Sequence, residues 1–344
     1  MKMIHSLKKF THSIYYSIIP SNARRDIWHY WYTGRSYHAS LSYPYVMENI
    51  FPNSIIPFPQ NTNDQEKVSI VIVTYNNVTY TNLTIQSILL NTNYSNYKIV
   101  IVDNNSNSSM IDSLHALEVN YSDYVSVIYN SENVGFAAAN NIGIAQATDS
   151  TYVVLLNSDV IVTIGWLTTL IHHLGDTAVG MVGPVTNFVG NEARVSVSYT
   201  RLSDIALFAE DYTMKHKGKS FQIRMLAMFC VALRTATLQE IGPLDERFGL
   251  GYFEDDDYSE RMHRAGYKLL CAQDVFIHHF GGASFSTLEN TQFNALFAQN
   301  KKLFEEKWHM KWIPQRAKPS LVRNIVGSLV SMGLSIFHSN KEVQ

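Results

Sequence analysis

The sequence predicts an α/β protein built on a doubly wound, mostly parallel but mixed sheet flanked by helices, with an extension at each end. Three observations predict it. Short, nearly continuous apolar runs of strand length recur from residue 67 onward, as expected of strands covered on both faces. Segments with helical spacing or a Gly/Ala-rich composition separate them, the alternation that builds a parallel sheet. The runs also end in clusters of Asn, Asp, Ser and Thr, at the strand ends where open α/β sheets bind ligands.

In chain order, residues 1–65 form an aromatic and basic extension containing Lys8, Lys9, Arg24, Arg25, Trp28, Tyr30, Trp31 and Tyr32, closed by the Pro/Asn-rich FPNSIIPFPQNTN. The main domain is assigned to 66–310. Its first strand is VSIVIVTY (68–75), followed by the helix NLTIQSILLN with Leu83, Ser87 and Leu90 at helical spacing. YKIVIVD (97–103), YVSVIYN (124–130) and TYVVLLNSD (151–159) are the next β-branched or aromatic runs, and a Gly/Ala-rich segment suited to close packing fills 133–147. The tail, 311–344, carries an apolar stripe of Leu321, Val322, Ile325, Val326 and Leu329 that must be buried on the protein, on a membrane surface or in a homodimer.

Composition narrows the function. A chain of 344 residues, 46% hydrophobic and 16% charged, is long and apolar enough for a full core. A formal charge of -2 supplies no basic field for nucleic acid, so an anionic ligand must be bound locally. Cys230 and Cys271, far apart and each in an apolar run, fit reduced core residues and exclude a disulfide scaffold. No cleavable leader pattern and no uncharged 18-residue apolar run is visible, so a cytoplasmic location is expected, either free or peripheral on the inner face of the membrane. Neither a G-x-G-x-x-G nor a P-loop follows the first strand, which argues against a dinucleotide oxidoreductase and a P-loop NTPase.

The strand ends carry the chemistry. Thr74-Tyr75-Asn76-Asn77 ends the first strand, Asp103-Asn104-Asn105-Ser106 the second, Asn133-Val134-Gly135-Phe136 follows the third, and Asn157-Ser158-Asp159 ends the fourth. Gathered together, these side chains can hydrogen-bond a base and a ribose and hold a metal. Asp159 is placed to share Mg²⁺ or Mn²⁺ with substrate phosphates, since hard cations take oxygen ligands and keep open positions. One carboxylate cannot complete such a site, and His278 and His279 in VFIHHFGGASF are a second source of ligands. The run Glu254-Asp255-Asp256-Asp257 opens a helical stretch, where acids favour the helix dipole. Four consecutive acids nonetheless repel one another unless a cation, proton or substrate intervenes, so one of them is a candidate general base.

Taken together, TYNN, VDNNS, ENVGFAAANNIGI, LLNSD, IGPLDERFG, FEDDDYSERMHRAGY and HHFGGASF resemble the family 2 glycosyltransferases of the GT-A fold, rhamnosyltransferase-like members in particular, across about 67–290. The resemblance implies an inverting, metal-dependent transferase. Thr74, Tyr75 and Asn76 would line the nucleotide pocket, Asp103 would pair with the base and Asn104 would sit nearby. Asn133, Gly135, Phe136 and Asn140 would pass under the ribose and diphosphate. Asn157, Ser158 and Asp159 match the D-x-D element, with Asn157 where the first Asp often occurs and Asp159 as the metal carboxylate. Asp255 matches the catalytic base, with Asp256 the alternative; His279 would complete the metal site, with His278 the alternative. The implied partners are a UDP- or dTDP-sugar donor, dTDP-rhamnose among them, and a glycan or lipid-linked acceptor in surface polysaccharide synthesis. The competing expectation is a catalytically silent scaffold of the same fold.

Overall fold

The computed structural model describes residues 66–281 and 290–314. The 1–65 extension and the apolar stripe of the tail lie outside the described residues. Among the described residues nine strands form one sheet: β1 (Val68–Thr74), β2 (Tyr97–Asp103), β3 (Val125–Tyr129), β4 (Tyr152–Asn157), β5 (Val160–Val162), β6 (Val179–Thr186), β7 (Ser220–Gln222), β8 (Cys230–Arg234) and β9 (Lys268–His279). Their order is β3-β2-β1-β4-β8-β6-β9-β5, with β7 also on β9. The first four strands pair in parallel, and β6 runs parallel to β9. The β4–β8, β6–β8, β5–β9 and β7–β9 pairs are antiparallel. The four runs read from sequence as strands are β1 to β4. The ninefold mixed sheet matches the expected class.

Eight α-helices lie among the described residues: α1 (Val78–Asn91), α2 (Ser108–Asn120), α3 (Phe136–Ala145), α4 (Trp166–His173), α5 (Ile205–Lys215), α6 (Thr235–Ile241), α7 (Glu254–Arg264) and α8 (Asn290–Trp308). Alternate residues of each strand feed opposite cores. Ile70, Ile72, Ile99 and Ile101 pack with Ile85 and Ile88 of α1, Leu114 of α2 and Leu170 of α4. Val71, Val100, Val153 and Leu155 face the other way, with Ala137 of α3, Ala209 of α5 and Met262 of α7. A Cβ on Gly143 would lie 2.3 Å from Val71 Cγ1, so α3 can approach β1 this closely only through glycine. Cys230 and Cys271 are buried and joined by no disulfide, as expected.

One face of α1 is polar although buried. Thr84 Oγ1 donates to Val160 O (2.8 Å) and accepts from Val160 N–H (3.0 Å), Ser87 Oγ accepts from Val162 N–H (3.1 Å), and Asn91 donates to Val162 O (2.8 Å). Buried backbone groups need partners, and these side chains supply them to one edge of the three-residue strand β5. That strand carries the chain from Asp159 back against β9, pairing Val160 with His279.

Candidate functional site

The sheet's first strand ends meet through side chains. Asn76, with φ 52°, donates its N–H to Ser106 Oγ (2.9 Å) and accepts from Asn107 N–H (2.7 Å), tying the turn after β1 to the turn after β2. Thr74 is buried and its hydroxyl shares a hydrogen bond with Thr81; the Tyr75 side chain is open to solvent. Asp103 accepts from Ser106 N–H through Oδ2 (3.0 Å), while its Oδ1 is buried without a hydrogen-bond partner. Asn104 uses both ends of its amide. Nδ2 donates to Asn133 Oδ1 (2.9 Å) and Gly135 O (3.2 Å), and Oδ1 accepts from Val134 N–H and Asn130 Nδ2 (both 3.1 Å).

Asn104, Asn133 and Gly135, expected to serve one ligand, therefore form one network. Gly135 has φ 88°, and a Cβ there would lie 2.2 Å from Gly249 O. The same glycine thus seats the loop that leads to α7. Phe136 opens α3, and Asn140 is buried with its amide donating to Phe136 O (2.9 Å), a bond internal to the helix. Its neighbour Asn141 makes the long-range links, donating to Leu244 O and Glu246 Oε1 and accepting from Leu244 N–H.

Asn157 ends β4 with its N–H on Phe229 O (2.8 Å); Ser158 and Asp159 are buried. Asp159 Oδ1 faces His279 Nε2 at 3.4 Å. His279 Nδ1 lies 3.0 Å from Phe188 O, and a carbonyl only accepts, so the ring proton sits on Nδ1. In the neutral ring Nε2, which is buried and receives no hydrogen bond, then points a lone pair at Asp159 Oδ1. Two acceptors face each other, an arrangement that fits a hard cation bound by one oxygen and one imidazole. Among the described residues no cluster of three such ligands exists, so further coordination would come from phosphate and water.

The ring itself is fixed on all sides. Phe229 stacks on it at 4.9 Å, Phe188 meets it edge-on, and Asn187 brackets its backbone, donating to His279 O (3.0 Å) and accepting from His279 N–H (2.8 Å). His278 occupies a different setting: its Nδ1 meets the Tyr199 hydroxyl at 2.6 Å, and burial, with His279 second, pushes its pKa down to about 3. Tyr80 joins the group by a 4.7 Å ring contact with Phe280, its hydroxyl pKa raised by burial and by Asp159.

The four acids divide by partner. Asp257 is fully buried and bonds Trp308 Nε1 (2.9 Å) and Lys307 Nζ (2.5 Å), while Asp256 accepts from Trp312 Nε1 (3.0 Å). Both anchor α8 and the residues after it. Glu254 and Asp255 have no such ties: one Glu254 oxygen is buried without a hydrogen-bond partner, and Asp255 accepts the Asp256 N–H (2.9 Å). Burial, followed by repulsion from Glu254, holds the Asp255 carboxyl well above the usual carboxylate range, and burial does the same for Glu254.

Asp256 is pushed by burial, then by Asp255, from 3.8 to about 7. A carboxyl with a raised folded-state pKa keeps a proton that the unfolded chain has released, so stability falls as pH rises through that interval. The metal-free protein is accordingly expected to melt at lower temperature at about pH 8 than at about pH 5. Asp256→Asn, which keeps an acceptor for Trp312, should flatten the decline and melt above the wild type at the higher pH. A thermal scan series that shows the mutant parallel to wild type would refute the assignment.

Sequence reasoning passed over Asn141, Asn187, Phe188 and Phe229. Only Asn187, the polar residue directly after the apolar β6, repeats the strand-end signal used elsewhere. The other three act through a cross-link, a carbonyl and a ring face that become partners only in three dimensions.

Comparison with known proteins bears on this geometry. The family model described as Glycosyl transferase family 2 matches residues 69–241, which include Asp103 and Asp159 and stop before Asp255 and His279. The chain is 24% identical over 251 residues to "Uncharacterized protein y4gI" of Sinorhizobium fredii, covering 70% of this chain and 27% of that protein. It is 28% identical over 156 residues to the "Pre-mycofactocin glycosyltransferase" of Mycobacterium tuberculosis, covering 45% and 32%. The chain thus spans less than a third of the length of these curated relatives. Among solved structures, GalNAc-T7 with UDP, GalNAc and Mn²⁺ is similar at TM-score 0.51 and 20% identity, over 62% of this chain and 43% of that one. The mannosyltransferase PcManGT of Pyrobaculum calidifontis with GDP-Man and Mn²⁺ is similar at TM-score 0.50 and 17% identity, over 72% and 66%. These likenesses establish the GT-A fold.

Proposed function

This chain belongs to glycosyl transferase family 2, and from that premise we propose that it moves a sugar from a nucleotide diphosphate to a glycan or lipid-linked acceptor with inversion at the anomeric carbon. The observation that carries the reading is the buried Asp159 carboxylate facing the buried Nε2 of His279 across 3.4 Å. Such a pair calls for a cation, and a diphosphate leaving group needs one. Its similarity to two structures holding Mn²⁺ with a nucleotide or nucleotide sugar supports the same choice. A divalent cation bound by Asp159 and His279 would neutralise charge on the departing diphosphate.

The remaining roles fall to the chain's own residues. Asp255 takes the proton from an acceptor hydroxyl, its raised pKa making it a competent base near neutral pH. The acceptor oxygen bonds to the anomeric carbon as the bond from that carbon to the phosphate oxygen breaks, and the nucleoside diphosphate leaves with the electron pair. Asp103 keeps one oxygen for the base; uracil and thymine offer an N–H there, so UDP- and dTDP-sugars are favoured and dTDP-rhamnose belongs in the test panel. Surface polysaccharide assembly at the inner face of the membrane is the setting that suits these acceptors. No helix among the described residues is long and apolar enough to cross a membrane.

The deciding experiment is thermal stability of the full chain against UDP, dTDP and GDP, each with and without Mn²⁺, followed by donor hydrolysis assays. A ligand that binds the folded state at about 100 times its Kd stabilises by about 2.7 kcal/mol. A Mn²⁺-dependent shift with UDP or dTDP is expected. A folded protein that responds to none of them and hydrolyses no donor would overturn the enzymatic reading in favour of a silent scaffold.

A further inference from the structure

The acid pair at the start of α7 is delivered by an unusual stretch of backbone. Gly249 and Gly251 have φ of 62° and 144°, and they are followed by two non-glycine residues at positive φ, Tyr252 (74°) and Phe253 (77°). Two consecutive bulky side chains in that region persist only where surrounding structure imposes the conformation. One side of the loop rests on Gly135, whose missing Cβ leaves room for Gly249 O.

On the other side the loop's carbonyls are met by one amide, beside ring contacts of Tyr252 with Phe297 and of Phe253 with Phe297, Phe304 and Trp312. Asn300 of α8, 1% exposed, donates Nδ2 to Phe248 O (2.7 Å), Gly251 O (2.8 Å) and Tyr252 O (3.1 Å). Phe253 then packs in one cluster with Phe248 and Phe304, and its carbonyl accepts the Asp257 N–H (2.9 Å), starting the helix. An aspartate at 300 would offer no donor to these carbonyls, and alanine would leave them without this one. The chemistry of the position therefore calls for a side chain that donates.

We propose that Asn300 is a positioning residue that fixes the direction in which Glu254 and Asp255 leave the loop, so that α8 sets the alignment of the acid pair. The inference rests on the proposed role of Asp255, although its effect on the loop can be measured separately. Asn300 touches neither the cation pair nor the Asn104 network in any contact described above, so its loss should leave donor binding in place.

The test uses full-length Asn300→Ala and Asn300→Ser, with Leu117→Ala on α2 as a destabilised control remote from the loop. In Asn300→Ala, hydrogen exchange across 249–256 should quicken by about 10-fold or more while β1 amides hold. The Asp255 carboxyl, identified in ¹³C NMR titrations by its loss in Asp255→Asn, should titrate closer to the ordinary carboxylate range. For transfer, kcat should fall by about 10-fold or more, since small misplacements of a reacting group cost that much, with the donor KM within about twofold. Asn300→Ser, keeping one donor, should fall between, and Leu117→Ala should move none of these readings. If Asn300→Ala does not fold, Asn300→Ser is read in the same way. Unchanged exchange and an unchanged Asp255 titration in a folded variant would overturn the proposal. A wild type that binds no nucleotide would instead overturn the proposed function, with the exchange and titration results still deciding the role of Asn300.

Discussion

Asp255→Asn is expected to lower sugar transfer by about 10²-fold or more, the usual scale of general-base assistance, while Mn²⁺-dependent nucleotide binding persists. The expectation follows from how the neighbouring acids are occupied. Asp257 is committed to Lys307 and Trp308, and Asp256 to Trp312, so neither is poised to receive a proton from a substrate. Asp255 combines a raised pKa with the absence of any such anchor, and Glu254 beside it contributes to the rise. The sign of the pH effect follows. A base must be ionised, so kcat/KM should fall on the acid side of the raised pKa, and Glu254→Gln, which removes the repelling charge, should move that limb to lower pH. Asp256→Asn serves as the control and should keep most of the turnover. Full activity in Asp255→Asn, with loss in Asp256→Asn, would reverse the assignment.

The division among the acids illustrates where sequence reasoning stops. Four consecutive carboxylates announce themselves as charges that need relief, yet their order gives no sign that two are spent on partners about fifty residues later, in α8 and just beyond it. Trp308, Trp312, Lys307 and Asn300 belong to none of the motifs or strand ends that the sequence offers. The parallel half of the sheet was far more legible. Each of its strands is a self-contained apolar run, and the alternation of strands with helices points to parallel pairing. The antiparallel half, β5 to β9, was not assigned strand by strand. Its strands are short, or interrupted as β9 is by irregular pairing opposite Pro184 and Val185, and β5 relies on side chains of α1 for part of its backbone bonding. The polar strand ends include Asn104, Asn133 and Gly135, which lie in one hydrogen-bond network because a parallel sheet brings its carboxyl ends to one edge. Asn140 shows the limit of that signal: Asn140 and Asn141 stand side by side, and only helical phase decides which amide reaches out.

Asp159→Asn should produce two effects of opposite sign, and for that reason it is the sharpest test of the cation site. In the metal-free wild type with the His279 ring neutral and its proton on Nδ1, Asp159 Oδ1 and Nε2 are two acceptors held 3.4 Å apart in a buried setting. An amide at position 159 offers an N–H to Nε2, converting the repulsion into a hydrogen bond of about 1 kcal/mol. The metal-free mutant should therefore melt about 2–4 °C above the wild type. The same substitution removes the negative charge that a hard cation requires, so stabilisation by nucleoside diphosphate with Mn²⁺ should disappear. His279→Ala should also lose the Mn²⁺ response but without the gain in the metal-free state, because it removes a ring stacked on Phe229 and bonded to Phe188 O. Acidification competes with the cation for Nε2, so the wild-type Mn²⁺ shift should shrink as pH falls. An Asp159→Asn protein that is less stable than wild type without metal, yet still responds to Mn²⁺, would mean that the pair is a structural contact and that any cation is held elsewhere.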